Sequence, residues 1–225
     1  MCFSATASFT AGAALLVVGA VTTHRARRPA ELPFALIPVL FGVQQLIEGA
    51  LWLTFPDKAP QLNAVLTHLY SLFSHVLWPI YVPIAVLLLE VVPWRRKVLT
   101  GLALAGAAVG LYLMYFLIAE PITARVVGRH IAYLSPHFYV VPVMVLYVLS
   151  TCASALLSSC GTIRWFGATT FLALVTAYAF YAFWFISVWC FFAALLSGVI
   201  YLHVRSRPDS SEGLDIPADP SWQRT

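Results

Sequence analysis

The chain has 225 residues, of which 61% are hydrophobic and only 10% charged, and its mean hydropathy is +0.86. So apolar a composition excludes an ordinary soluble domain and is that of an integral membrane protein. The net charge of +4 resides mostly in short loops between apolar runs, which points to membrane orientation and away from nucleic-acid binding.

Seven apolar segments follow one another, near residues 5–23, 32–54, 63–92, 97–119, 136–157, 164–184 and 185–204. Each approaches the roughly twenty residues that a helix needs to cross hydrocarbon. The opening MCFSATASFTAG has neither the basic start nor the cleavage site of a secretory signal, so the first run is expected to remain as a transmembrane segment. The predicted fold is all-α and polytopic: a seven-helix transmembrane bundle over residues 1–207 and a polar, disordered cytoplasmic tail over 208–225. Seven Trp, ten Tyr and fifteen Phe suit interfacial belts and bundle packing without identifying a ligand. Cys2, Cys152, Cys160 and Cys190 form no C-x-x-C motif and no disulfide framework.

Loop cations predict the orientation. Arg25, Arg27, Arg28, Arg95, Arg96, Lys97, Arg164, Arg205 and Arg207 fall on one side, against Lys58, Arg125 and Arg129 on the other. That places the N-terminus outside and the C-terminus in the cytoplasm of a multi-pass protein of the plasma or inner membrane. The connection from Glu120 to Ser135 is the longest between helices, faces outward, and reads either as a lid or as a solvated connector.

Polar side chains gather towards the outer ends of these segments. In the third, His68, Ser71 and His75 stand at i, i+3 and i+7 and are expected to line one helical face. At 1.5 Å per residue His68 lies about 8 Å and His75 about 18 Å below the outer surface. Glu48, in QQLIEGALW of the second segment, lies about 9 Å below the same surface and so shares a level with His68. His130 and His137 precede the fifth segment, and Ser187 and Cys190 share a face of the seventh. A carboxylate at such depth has to be protonated, paired or bound to a cation. One Glu, up to four His and a Cys match the ligands of zinc or another transition metal, assembled across helices because no H-E-x-x-H motif is present.

The blocks MCFSATASF, QQLIEGALW, VLWPIYVPI and SVWCFFAALLS resemble an uncharacterised bacterial membrane family that shares them along most of its length; the resemblance implies no activity. Glu48 on the second helix and Ser71-x-x-x-His75 on the third resemble in part the membrane hydrolase superfamily of alkaline ceramidases and adiponectin receptors. There the Ser-x-x-x-His helix supplies one zinc ligand and a His-x-x-x-His pair on the last helix two more. Here the last helix holds His203 alone, so the resemblance implies substitutes among His68, His130, His137 and Cys190.

Three function classes fit these residues. The preferred one is a metal-dependent membrane enzyme, most simply a zinc hydrolase of lipid or amide substrates. Its metal ligands come from His68, His75, His130, His137, Glu48 and Cys190, and Glu48 and Ser71 are its catalytic candidates, with Glu48 as general base. The second is a small proton- or ion-coupled transporter lined by Gln44, Glu48, His68 and His75, with Pro79 and Pro83 breaking the third helix beside them. The third is a redox or sensor protein whose imidazoles hold haem. In each the partners are the bilayer and a lipid or small molecule, not nucleic acid, and the oligomeric state stays open.

Overall fold

A computed structural model describes residues 4–56, 58–120, 122–128 and 130–201. The predicted tail, His203 and Cys2 lie outside the described residues. The fold is mostly helical, with seven helices among those residues: α1 (Ala5–His24), α2 (Pro29–Leu53), α3 (Pro60–Leu89), α4 (Pro93–Ala119), α5 (Val141–Leu156), α6 (Gly161–Tyr181) and α7 (Phe185–Tyr201). Five of them, α1 to α4 and α6, are long and apolar enough to cross a membrane, while α5 and α7 are apolar but shorter.

Local chemistry sets the helix starts. Ser4 caps α1 by accepting from the Ala7 amide at 3.2 Å. Pro29, Pro60 and Pro93 each stand in the first turn of a helix, where the missing N–H loses no bond. α1 and α2 pack antiparallel through small residues, Gly12 against Gly42 and Gly19 against Val39. A Cβ on Gly19 would lie 2.7 Å from the Val39 amide nitrogen, so the two backbones touch, as small residues permit in membrane helices.

α3 carries two defects that its neighbours repair. Residues Leu72–Leu77 form a π-helical turn in which the Trp78 amide donates to the Phe73 carbonyl. The Ser74 carbonyl would then need a donor from residue 79, which is Pro79; the Tyr147 hydroxyl of α5 donates to it instead. Pro83 in turn deprives the Pro79 carbonyl of its helical partner. That oxygen presses onto α4 at Gly106, filling the place a Cβ there would take.

The Glu120–Ser135 connection departs from the all-α expectation. Thr123–Val127 (β1) and His130–Leu134 (β2) pair as an antiparallel hairpin, with Val127 opposite His130 and Gly128 at φ 66° in the turn. TARVV and HIAYL are rich in β-branched and aromatic residues, and the glycine supplies the positive φ that a tight hairpin turn demands. β2 is buried along Ile131, Ala132 and Tyr133 and packs on α7, while β1 lies against α3. The hairpin therefore closes the end of the bundle where α1, α3, α5 and α7 begin.

The opposite, basic end is clasped by Glu90, between α3 and α4. Its carboxylate accepts from the amides of Val91 (3.0 Å), Val92 (2.9 Å) and Ser159 (2.7 Å) and from the Ser159 hydroxyl. Burial by itself would raise its pKa, but these four bonds together outweigh it and hold the carboxyl below its ordinary value.

Candidate functional site

The hairpin end holds a buried polar core. Gln44, Gln45 and Glu48 of α2 are all fully buried. The Trp78 indole of α3 donates to Gln44 Oε1 at 2.8 Å, and the Ser187 hydroxyl of α7 donates to Glu48 Oε1 at 2.7 Å. One turn further along α7, the Cys190 thiol lies beside Gln44, Tyr70 and Glu48. Polar contacts thus join α2, α3 and α7 around one carboxyl. Tyr70 stacks on Tyr133 of the hairpin with ring centroids 4.4 Å apart, so the hairpin rests directly on this core. One turn outward from Glu48, Trp52 lines a groove of about 800 Å³ with Asn63 and Arg125.

A second polar layer lies between α3, α4 and α5. His75 is 2% exposed; its Nδ1 sits 2.7 Å from Ser74 Oγ, and its Nε2 has no protein partner among the described residues. It lines a cavity of about 30 Å³ whose other polar residues are Glu120, Ser135 and His137. His137 Nε2 is 3.0 Å from Glu120 Oε2, and its ring stacks on Phe116 with centroids 3.6 Å apart. Tyr147 spans the two layers: its hydroxyl meets Ser74, and its ring lines a central cavity of about 30 Å³ together with Trp78, Trp189 and Cys190.

The residues singled out in the sequence therefore divide. Glu48, Ser187 and Cys190 come together, and Ser187 of α7 bonds the Glu48 carboxyl where the sequence pointed to His68. The π turn slips the helical face by about one residue, so Thr67 and Ser71 are buried in line with His75. His68 is left half-exposed, with Nδ1 2.8 Å from the Ala64 carbonyl. Ser71 is fully buried, and its hydroxyl has no protein partner among the described residues. His130 packs against Tyr181 and Trp184, where burial lowers its pKa below the ordinary histidine value. Among the described residues no three His, Cys, Asp or Glu side chains come together to hold a metal. The expected ligand set is dispersed over the core, the His75 cavity, the hairpin and the rim of α3.

Tyr70, Trp78, Tyr147 and Glu120 take part without having been singled out. A signal existed for two of them. Trp78 precedes Pro79, and Tyr147 brings a hydroxyl into the apolar run VPVMVLYVL, where a buried donor requires an acceptor.

No curated protein and no solved structure matches the chain, and nothing in these comparisons supports the likeness to ceramidases and adiponectin receptors. The Family of unknown function (DUF6629) matches over residues 1–213 and thus over nearly the whole sequence, and the chain belongs to that family.

Proposed function

We propose that all seven helices cross a cell membrane, with the basic end in the cytoplasm, and that the core around Glu48 binds a small polar solute whose passage is coupled to a proton. One observation carries this reading. Both amide atoms of Gln45, the hydroxyls of Ser8 and Ser71, and His75 Nε2 are buried with no protein partner among the described residues. Each such group costs about 1–3 kcal/mol if nothing satisfies it. Grouped at one end of an apolar bundle, they are better explained by water or a polar solute than by packing. The groove beside Trp52 supplies the approach from the hairpin end.

Two arguments support the span count and orientation. α5 and α7 are about 24–26 Å long at 1.5 Å per residue, short of a hydrocarbon core of about 30 Å. Helical turns at Pro136–Tyr139 and Ala182–Trp184 lengthen each at its hairpin end. Arg25, Arg27, Arg28, Arg95, Arg96, Lys97 and Arg164 lie at the opposite end, as the positive-inside rule asks.

The carrier is favoured over the zinc hydrolase because that enzyme needs three ligands in one place. Haem is disfavoured because the cavity that His75 and His137 share measures only about 30 Å³. The test is a thermal-shift screen of small polar solutes on detergent-purified protein. A solute that binds the folded state raises the melting temperature with its concentration. Such a solute should stabilise the wild type and have no effect on folded Glu48→Gln or Gln45→Leu. Equal stabilisation of both variants would refute the assignment.

A further inference from the structure

The His75 cavity points to a route that the core alone does not provide. Its volume of about 30 Å³ accommodates two or three water molecules, since one water needs about 10–15 Å³ of such space. Leu113, Leu117, Ile122 and Leu134 make much of its wall. His75 lines it from α3, and its Nε2 is buried and without a protein partner among the described residues. At the outer end are Ser135 and the Glu120–His137 pair, whose side chains are 54% and 28% exposed respectively. We propose that this cavity is a water-filled inlet through which His75 exchanges protons with the hairpin-end surface, Glu120 and His137 standing at its mouth.

The bonding around His75 suits the task. With the Nδ1 proton donated to Ser74 Oγ at 2.7 Å and the Ser74 hydroxyl turned to the Ser71 carbonyl at 3.4 Å, Nε2 keeps a lone pair free to accept from a cavity water. A proton passed from water to Nε2 gives an imidazolium whose other N–H is already bonded. Its return to the cavity water restores the neutral ring, and no other bond forms or breaks. Glu120, just past the end of α4, and His137 from the turn before α5 are the titratable groups that share the cavity with it among the described residues. Glu120 is positioned to hold an arriving cation at the surface. Ser74 also ties the His75 ring to Tyr147, whose hydroxyl donates to the Ser74 carbonyl and whose ring lies with Cys190 around the central cavity beside the Glu48 core. As a proton supply for that core the inlet rests on the carrier reading, but its hydration can be measured without any transport.

Single cysteines at Leu113 and Leu117 in proteoliposomes, treated on both sides with a small hydrophilic methanethiosulfonate, provide the test. Mass spectrometry of the α4 peptide reads the modification at each position. Leu111, 67% exposed on the apolar surface of α4, is the lipid-facing control. Thiols react as thiolates and need water, so Leu113→Cys and Leu117→Cys should be modified about tenfold or more faster than Leu111→Cys. Adding Leu134→Trp at the mouth should abolish that advantage. Rates at 113 and 117 no greater than at 111 would overturn the inlet, and Leu117→Cys decides alone should Leu113→Cys fail to fold. Fast labelling in a protein whose solute flux is indifferent to Glu48→Gln would keep the inlet and remove the carrier. Slow labelling beside a Glu48-dependent flux would remove the inlet alone.

Discussion

Gly106→Ala is the substitution whose effect follows most directly from the backbone. Pro83 leaves the Pro79 carbonyl without an i+4 donor, and that oxygen occupies the position of a Cβ at residue 106. A methyl there would also stand 2.9 Å from the Pro79 carbonyl carbon and 3.1 Å from Ser150 Cβ. The obstruction is backbone on the α3 side, so no rotamer change relieves it, and the cost belongs at the upper end of overpacking, about 3 kcal/mol. Alanine recovers about 1 kcal/mol of helix propensity, which leaves a net loss of about 2 kcal/mol. At Gly101, five residues earlier in α4, an added methyl would meet nothing within 4 Å. Gly101→Ala should therefore stabilise by about 0.5–1 kcal/mol, opposite in sign within one helix. Unfolding of purified protein by SDS titration, followed by tryptophan fluorescence, measures both. Pro83→Ala restores the missing N–H and should recover part of the Gly106→Ala loss. A Gly106→Ala protein as stable as the wild type would refute this account of the α3–α4 contact.

Tyr147→Phe should cost about 1–3 kcal/mol in the same assay, because it leaves the Ser74 carbonyl, already denied a helical donor by Pro79, without its hydroxyl partner. Ser187→Ala removes the 2.7 Å bond to Glu48 and should cost about 1–3 kcal/mol; a value near zero would mean that the contact does not hold α7 to α2. Glu90 is held below its ordinary pKa, so its contribution to stability is present above the unfolded carboxylate pKa and is lost as pH falls through the lower, folded value. The stability of Glu90→Gln should accordingly be lower than wild type at neutral pH and flatter on the acid side. Parallel pH profiles for the two proteins would contradict the clasp.

Helix number and approximate limits were legible in the sequence because an apolar run of membrane length leaves the backbone few alternatives. The Glu48–Ser187–Cys190 association was half legible. Ser187 and Cys190 share a face by spacing alone, but which helix meets Glu48 depends on bundle packing that no local pattern encodes. His68 was misplaced for a local reason that spacing hides. Regular 3.6-residue periodicity puts it in line with Ser71 and His75, whereas with the π turn before Trp78, Thr67 takes its place on that face. The hairpin was overlooked because its alternating residues sit in a chain so apolar that strand and helix patterns look alike. Gly128 between two β-branched runs was the available signal. The metal hypothesis came from counting ligand types at one end of the bundle, and packing spread those residues over separate surroundings.

The central claim is that the Glu48 core couples a proton to a small polar solute, and a flux measurement in proteoliposomes tests it most directly. Vesicles carrying a trapped pH dye receive the solute that stabilises the wild type, with no pH gradient imposed beforehand. The account predicts solute-dependent acidification of the lumen by wild-type protein and none by folded Glu48→Gln. Solute movement without proton movement, or acidification equal in the two proteins, would contradict it.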